Sequence, residues 1–285
     1  MAEATAPQRK VADYKSDVKP IWCPGCGDYA VLSAFMKAVA ELGIPPEEIA
    51  IASGIGCSGR FAAFVRAYGL HGTHGRALPL ATGIKLGNPN LTVFGISGDG
   101  DAFSIGAGHL PHAARRNVDL TYIVLDNQIY ALTKGQPSPT SPEGMKRKAS
   151  PFGTIEHHIS PTPIMLAYGA TFVARGFSAN PRDLTELIKL AVMHRGFSFV
   201  HVVSPCVSFY DTYAYFKERL EHVPDTHDVT DLHDAIHLAF DPDHLYTGVF
   251  YEVERPSFED ELGRIRAEAG ALDLGALVDK YCVSS

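Results

Sequence analysis

Two short hydrophobic segments, each followed at once by polar residues, constrain the fold of this chain more than any other feature. Residues 91–97 and 120–125 have the composition of buried strands, and a predicted helix at 105–116 separates them. A strand, a helix and a second strand in this order predict a parallel sheet with helical crossovers. Ligands on such sheets bind at the carboxyl ends of the strands. We therefore predict an α/β fold with a binding site at residues 98–101 and 126–127, where these two strands end.

Similar segments continue on both sides of this unit. The other predicted strands lie at 48–53, 171–175 and 197–203, and the other predicted helices at 29–43, 181–194 and 258–269. We assign residues 1–20 to a loose N-terminal arm, 21–210 to the main domain, and 211–285 to a C-terminal extension in which the α/β pattern fades. Residues 134–163 are rich in Pro, Ser, Thr and Gly without a period, which favours a functional loop or lid.

Charge balance and apolar content exclude several classes of protein. The chain has 285 residues, with 25 Lys and Arg against 32 Asp and Glu, and this net charge of −7 argues against a nucleic-acid-binding face. Apolar residues make up 46%, enough to build a folded core. We find no run of about 18 apolar residues that would predict a membrane span, and no secretory signal. We therefore expect a cytoplasmic protein that binds neither nucleic acid nor membrane.

The sequence Gly98-Asp99-Gly100-Asp101 and the later Asn127 combine groups suited to a metal-bound diphosphate. Each follows a predicted strand, and the ends of adjacent parallel strands lie side by side. Asp99 then offers a carboxylate oxygen and Asn127 an amide oxygen to one hard cation such as Mg²⁺. The glycines let the backbone approach a diphosphate closely, and the following helix N-terminus favours its negative charge. The alternative is a plain turn rich in Asp and Gly, which the second strand-end residue argues against.

Four of the five cysteines lie beside glycine or proline. Cys23 and Cys26 form a CxxC pair in WCPGCG, Cys57 lies in GIGCSG, and Cys206 follows Ser-Pro. Four thiolates can hold a [4Fe–4S] cluster or a zinc ion. Isolated cysteines are also often small buried apolar residues. From the residues alone a cluster, a zinc site and plain buried thiols all remain open, and Cys282, which has no partner motif, receives no ligand role.

The GDG sequence followed by Asn127 resembles the fingerprint of thiamine diphosphate enzymes. That resemblance implies that Asp99, Asn127 and the backbone carbonyl of Ile129 bind Mg²⁺. Many of these enzymes have a second Asn next to the first, and this chain has Asp126 there instead.

The cysteine-containing segments narrow this resemblance to one group of thiamine diphosphate enzymes. The chain resembles the beta subunit of 2-oxoacid:ferredoxin oxidoreductases from about Ile21 to Tyr210, including HGRALP at 74–79, ATGIK at 81–85 and YALTKGQ at 130–136. The resemblance implies a parallel-sheet thiamine diphosphate-binding fold with helices on both faces. It also implies one [4Fe–4S] cluster, with Cys23, Cys26, Cys57 and Cys206 as its ligands.

The same resemblance implies a reaction and a set of cofactor contacts. With thiamine diphosphate, Mg²⁺ and the cluster, this family converts a 2-oxoacid and coenzyme A reversibly into acyl-CoA, CO₂ and reduced ferredoxin. His74 is expected at the phosphates or the reacting substrate, and Lys134 at a substrate carboxylate; a structural histidine and a solvated lysine are the alternatives. The residues expected to contact the cofactor are Ile55, Gly56, Cys57, Ser58, His74, Gly75, Gly98, Asp99, Gly100, Asp101, Asn127, Ile129, Tyr130, Leu132 and Thr133.

Substrate and partners follow from the same comparison of motifs. The sequence LTKGQPSPTSP looks more like the 2-oxoglutarate branch than the pyruvate branch, so we expect 2-oxoglutarate as substrate and succinyl-CoA as product. A pyruvate or broad-specificity enzyme is the alternative. A second, pyrimidine-binding α/β domain is not found, which implies an alpha subunit that completes the site and a ferredoxin that accepts the electrons. Two other functions remain open: a non-redox thiamine diphosphate decarboxylase or synthase subunit, and an iron–sulfur carrier without catalysis.

Overall fold

A mostly parallel sheet forms the centre of the computed structural model, which describes residues 9–270 and 274–282. The strands are β1 (Ile49–Ser53), β2 (Tyr68–His71), β3 (Thr92–Gly98), β4 (Leu120–Asp126), β5 (Ile129–Tyr130), β6 (Gln136–Pro137), β7 (Phe172–Phe177), β8 (Phe197–Val203), β9 (Leu220–His222) and β10 (Leu245–Glu252). Within the described residues, eight of them form one sheet in the order β2-β1-β3-β4-β8-β7-β10-β9, and β5 pairs with β6 in a separate hairpin.

Helices cover both faces of this sheet. They are α1 (Gly27–Glu41), α2 (Phe61–Phe64), α3 (Ala77–Gly87), α4 (Leu110–Arg116), α5 (Pro161–Ala167), α6 (Pro181–Met193), α7 (Tyr213–Arg219), α8 (Leu232–Ala239), α9 (Phe258–Ala269) and α10 (Leu274–Tyr281). One hydrophobic cluster joins α1, α2 and α6 to the sheet, and a second joins α3, α4, α5 and α8 to its other face. The predicted fold class, a parallel sheet with helices on both faces, is confirmed.

The two strands that the sequence singled out are direct neighbours. β3 and β4 pair in parallel, with Gly98 opposite Leu125. Every residue of β4 is buried, because helices cover its two faces and β3 and β8 its two edges. The loops that follow β3 and β4 therefore lie side by side, as the spacing of the motifs predicts.

The predicted helix at 105–116 begins later than expected. A single π-type turn (Asp101–Ile105) and a short 3₁₀ turn (Ala107–His109) precede α4, and Ser104 departs from helical geometry with φ −97° and ψ −106°. The side chain of Asp101 is held by hydrogen bonds from three neighbouring segments, as described below, so this loop follows those contacts and not a regular helix.

The segment expected to be a loose arm is anchored from residue 9 onward, and its first eight residues lie outside the described part of the chain. Tyr14 is fully buried, and its hydroxyl donates to Ile44 O at 2.7 Å. A large buried aromatic ring supplies the anchor that a purely polar arm would lack.

Residues after 210 form regular structure that continues the sheet. β10 pairs antiparallel with β7, and β9 pairs parallel with β10. Phe250 on β10 is fully buried in the second hydrophobic cluster. The sequence pattern fades here because β10 is half covered and alternates between buried and partly exposed positions. Residues 271–273 and 283–285 of the expected extension lie outside the described residues, and in the described part no helix is long and apolar enough to cross a membrane.

Candidate active site

A cavity of about 290 Å³ opens at the carboxyl ends of β1, β3 and β4. Its wall is formed by the turn after β1, the loop after β3 and the segment after β4. All residues predicted to contact the cofactor line it except Gly75, and Ala131 lines it in addition. The lining residues are Ile55, Gly56, Cys57, Ser58, His74, Gly98, Asp99, Gly100, Asp101, Asn127, Ile129, Tyr130, Ala131, Leu132 and Thr133.

Asp99 is the buried acid of this cavity. Its Oδ2 lies 2.8 Å from Thr140 Oγ1, which lies equally close to Asp126 Oδ1. Burial, and after it the charge of Asp126, raises the pKa of Asp99 to about 7. A cation bound here would offset both effects and keep the carboxylate ionised. This chemistry fits Mg²⁺, which prefers oxygen ligands.

Asn127 and Ile129 adjoin Asp99 in the cavity wall. Asn127 Oδ1 accepts a hydrogen bond from Ile129 N at 3.1 Å, which turns the amide oxygen back over its own loop. An amide oxygen has a second lone pair, so this contact leaves it able to bind a cation. Asp99, Asn127 and the carbonyl of Ile129 are thus brought together, and their role as Mg²⁺ ligands stays a prediction.

Asp101 holds three segments of the cavity wall together. Its Oδ1 accepts from Ile55 N at 2.9 Å and from Gly75 N at 2.7 Å, and lies 2.8 Å from His74 Nδ1. Its Oδ2 accepts from Ser97 Oγ at 2.7 Å. Asp101 therefore shapes the site from behind, because protein donors already surround both of its oxygens.

His74 and Lys134, the two residues predicted to act on substrate, are placed differently. His74 lines the cavity with 36% of its side chain exposed. Because its Nδ1 faces Asp101, Nε2 is the ring nitrogen left for a ligand. Lys134 is exposed, does not line the cavity, and follows the lining residue Thr133 with a positive φ of 84°.

The four predicted cluster cysteines approach one another from three segments. Trp22 Nε1 donates to Cys57 O at 2.7 Å, and Gly27 N donates to Pro205 O at 3.4 Å, which ties the CxxC segment to the other two. Cys57 packs against the small hydrophobic cluster that contains Cys206. All four thiols are free of disulfides.

For two of these thiols, Cys57 and Cys26, burial is the main influence on the pKa. Burial, and then the charge of Asp28, raises the pKa of Cys57 to about 12, with smaller contributions from Cys206 and Cys23. Burial likewise raises the pKa of Cys26, with Cys57 and Cys206 contributing. Over residues 9–270 and 274–282 the side chains form no ready-made group of three or more His, Cys, Asp or Glu metal ligands. The four thiols are close enough to interact, and bound iron would favour their ionised form.

A buried carboxyl that the sequence does not single out lies beside this group. Asp28, in the first turn of α1, is 2% exposed and accepts a hydrogen bond from Ser204 Oγ at 2.8 Å. Its other oxygen is buried without a hydrogen-bond partner among the described residues. Burial raises the pKa of Asp28 to about 6. Nothing in a single sequence distinguishes this aspartate from a helix-capping acid.

A second set of polar residues that the sequence does not single out lies behind Asp99. Thr140, His201 and Arg175 are all buried, and His201 Nε2 lies 2.9 Å from Asp126 Oδ2. Thr140 lies in the segment predicted as a functional loop, so the sequence indicates the region but does not identify the residue. His201 and Arg175 lie inside strands that have the pattern of ordinary buried segments, so only the structure reveals them.

Comparison with family models matches two adjacent parts of the chain. Residues 54–202 match the model described as thiamine pyrophosphate enzyme, C-terminal TPP binding domain. Residues 206–267 match the model that describes the C-terminal part of the pyruvate ferredoxin oxidoreductase beta chain. The first match begins directly after β1 and covers β2 to β8 apart from the last residue of β8, and the second covers β9 and β10.

Individual proteins are similar over most of their length. A 2-oxoacid:ferredoxin oxidoreductase subunit beta from Sulfolobus sp. is 41% identical over 267 residues, which are 88% of this chain and 87% of that protein. A 2-oxoglutarate synthase subunit KorB from Methanocaldococcus jannaschii is 38% identical, covering 86% of this chain and 92% of that one. The solved structure of 2-oxoglutarate:ferredoxin oxidoreductase from Magnetococcus marinus, with 2-oxoglutarate, coenzyme A and succinyl-CoA bound, superimposes with a TM-score of 0.95 and 42% identity, covering 98% of each chain.

Proposed function

This chain belongs to the beta subunits of the 2-oxoacid:ferredoxin oxidoreductases, and from that premise we propose that, together with an alpha subunit, it converts 2-oxoglutarate and coenzyme A into succinyl-CoA and CO₂. The reaction would also yield one proton and two electrons that reduce two molecules of ferredoxin, and a bound [4Fe–4S] cluster would supply the one-electron acceptance that this requires. The reaction is reversible, so reduced ferredoxin can drive the carboxylation of succinyl-CoA.

One observation carries this proposal: the diphosphate-type cavity and the cysteine group share a wall. Cys57 lines the cavity and also packs against the small hydrophobic cluster that contains Cys206. A non-redox thiamine enzyme has no use for four converging thiols at its cofactor. An iron–sulfur carrier has no use for the buried acid Asp99 and the amide Asn127 beside an open cavity.

The roles of this chain's residues in the proposed reaction follow from their positions. Thiamine diphosphate would supply a nucleophilic carbon that attacks the keto group and retains the electron pair when CO₂ leaves. Asp99, Asn127 and the Ile129 carbonyl would hold Mg²⁺ against the diphosphate. Gly98 and Gly100 allow close approach of the loop, and a Cβ at Gly100 would lie 2.1 Å from Tyr130 Cε1. His74 would present Nε2 to the phosphates or to the reacting substrate.

The cysteine group would carry the redox half of the reaction. Cys23, Cys26, Cys57 and Cys206 would hold one [4Fe–4S] cluster, which supplies one-electron acceptance beside the cofactor. Cys23 is the exposed member of the group. Cys23 would therefore be the ligand most accessible to a ferredoxin.

An alpha subunit would complete the site. Large apolar side chains remain exposed around the cavity: Ile55 at 36%, Leu132 at 38% and, beside Gly75, Ile105 at 53%. Apolar residues grouped at the mouth of a polar site favour coverage by another protein. The alpha subunit would also bring the carboxylate that activates the aminopyrimidine ring of the cofactor.

A preference for 2-oxoglutarate would require a second positively charged group in the site, which pairs with the distal carboxylate of this substrate. Lys134 follows the cavity-lining Leu132 and Thr133 and is solvent-exposed, so its ammonium group can reach a substrate at the mouth. Lys134→Ala should raise KM for 2-oxoglutarate about tenfold or more, the usual effect of losing a charge-assisted bond. KM for pyruvate, which has no distal carboxylate, is the matched control, and an equal change for both substrates would remove Lys134 from the specificity site.

Coexpression with the alpha subunit under anaerobic conditions tests the whole proposal. The purified pair should be brown, contain about four iron and four sulfide per beta chain, and reduce ferredoxin or viologen faster with 2-oxoglutarate than with pyruvate. Asp99→Asn should keep the iron and lose Mg²⁺-dependent thiamine diphosphate binding, whereas Cys57→Ser should lose iron. Zinc in place of iron, or CO₂ release without electron transfer, would contradict the proposal.

A further inference from the structure

Five buried side chains form a continuous hydrogen-bonded line across the sheet that ends at the metal site. Arg175 Nε donates to His201 Nδ1 at 3.2 Å, and His201 Nε2 lies 2.9 Å from Asp126 Oδ2. Thr140 Oγ1 lies 2.8 Å from Asp126 Oδ1 and 2.8 Å from Asp99 Oδ2. The line crosses β7, β8 and β4, which are consecutive neighbours in the sheet.

The chemistry of its members gives the first part of this line a single direction. A guanidinium is only a donor, so the Nδ1 of His201 must accept from Arg175. The ring proton of a neutral His201 is then on Nε2 and is donated to Asp126. Asp126 in turn acts as an acceptor. Two hydrogen bonds through the neutral imidazole of His201 thus connect the guanidinium of Arg175 to the carboxylate of Asp126.

Thr140 has one hydroxyl proton for two carboxylates. Asp126 Oδ1 already accepts from Gln128 N at 2.9 Å, and its Oδ2 from His201. Asp126 is therefore satisfied without Thr140, and the proton of Thr140 is available to Asp99 Oδ2. Because Thr140 donates to Oδ2 of Asp99, Oδ1 is the oxygen of Asp99 that remains for a cation.

Arg175 is fixed in place by the C-terminal part of the chain. Its Nη1 donates to Tyr246 O on β10 at 3.2 Å, and its Nη2 donates to Thr162 Oγ1 at 3.0 Å. Its guanidinium carbon lies 5.1 Å from the centre of the Phe250 ring.

We propose that Arg175, His201 and Thr140 are positioning residues for the metal site, which hold Asp126 as a satisfied carboxylate so that Thr140 orients Asp99 toward Mg²⁺. This inference rests on the proposed function, because it assumes that Asp99 binds Mg²⁺ beside thiamine diphosphate. Hydrogen-bonding partners behind metal ligands typically change metal affinity 10–100-fold when removed.

Mg²⁺ titrations of thiamine diphosphate binding to the complex with the alpha subunit, followed by calorimetry, test the proposal. His201→Phe, which removes the donor to Asp126, should raise the Mg²⁺ Kd about 10–100-fold. His201→Gln, which can keep an N–H at the position of Nε2, should restore the Kd to within about threefold of wild type. His194→Phe is the matched control, because His194 is also buried but hydrogen-bonds Thr171 at the opposite end of β7.

A second pair of variants keeps the test decisive if the histidine variants do not fold. Thr140→Val preserves the shape of the side chain and removes the hydroxyl, so it should weaken Mg²⁺ binding by the same factor, and Thr140→Ser should restore it. A Kd unchanged in His201→Phe and Thr140→Val, or raised equally in His194→Phe, would overturn the positioning role. Wild-type protein that binds thiamine diphosphate without any Mg²⁺ dependence would instead overturn the proposed metal site itself.

Discussion

At the residue scale, Asp101 shows how one buried carboxylate can organise the wall of a site. Four residues from three segments direct a donor at it: Ile55, the consecutive His74 and Gly75, and Ser97. Gly54 is required beside it, because a Cβ there would lie 1.8 Å from Asp101 Oδ2. Asp101, the second aspartate of the Gly98–Asp101 sequence, therefore connects the turn after β1 to the loop after β3.

Removing this carboxylate should uncouple those segments. Asp101→Ala leaves buried donors unpaired and is expected to lower the free energy of unfolding by about 3 kcal/mol or more, since each such donor costs about 1–3 kcal/mol. Asp101→Asn, which keeps one acceptor oxygen for the backbone amides, should lose less. Urea unfolding of both variants measures the difference, and equal stability of Asp101→Ala and wild type would exclude the connecting role.

The buried carboxyl of Asp28 should make stability depend on pH. Its pKa is raised to about 6 in the folded chain from an ordinary value of 3.8, so the folded state holds the proton more tightly than the unfolded state. Burial of the ionised Asp28 therefore lowers the free energy of unfolding. This loss is absent below about pH 4, grows as pH rises to about 6 and is constant above that. Asp28→Asn should remove it and stabilise the iron-free chain by up to about 3 kcal/mol at neutral pH.

Thermal or urea unfolding at pH 7.5 and pH 4.5 checks this prediction. The advantage of Asp28→Asn over wild type should shrink at the lower pH, where wild-type Asp28 is neutral as well. An advantage that stays constant between the two pH values would show that packing and not charge is responsible.

The sequence alone identifies the residues at strand ends better than those inside strands. Asp99 and Asn127 are predictable because a polar residue directly after a hydrophobic strand has few structural reasons to be there. Asp28, His201 and Arg175 are not, because their partners come from segments between 13 and 176 positions away. Gly75, which is expected at the cofactor, does not line the cavity and donates to Asp101, and its contact with the cofactor stays a prediction.

At the scale of elements, hydrophobic runs predict the buried strands to within a residue or two. β3, β4 and β8 lie where their apolar segments indicate, since parallel strands covered on both faces are continuously apolar. The sequence does not predict β10, because this strand lies toward the edge of the sheet and its burial alternates. The predicted start of α4 is wrong because the contacts of Asp101 take precedence over helical propensity before Leu110.

β10 should be indispensable for folding of the main domain. It pairs with β7 and buries Phe250, so its loss would expose a long apolar strand edge. A chain ending at residue 219 is expected to aggregate, whereas one ending at Gly270 should remain soluble because the described side chains of α10 are exposed. Solubility and size-exclusion profiles of the two truncations compare them, and a monodisperse shorter chain would contradict this dependence.

At the scale of the whole molecule, the two hydrophobic clusters lie on the faces of the sheet and the cysteine group lies at its end. Cys23 is exposed, and Cys26 and Cys57 are half-buried. The main core therefore does not depend on metal. Removing iron with a chelator should lower Tm by only a few degrees and leave the far-ultraviolet circular dichroism spectrum unchanged; complete unfolding would show that the cluster is a structural staple.

The turn after β1 belongs to both halves of the chemistry. Cys57 forms part of the cavity wall, and its carbonyl is held by Trp22 from the CxxC segment. In the proposed enzyme this one turn would form part of the cofactor site and also supply a ligand of the electron acceptor, so no separate segment would have to connect the two.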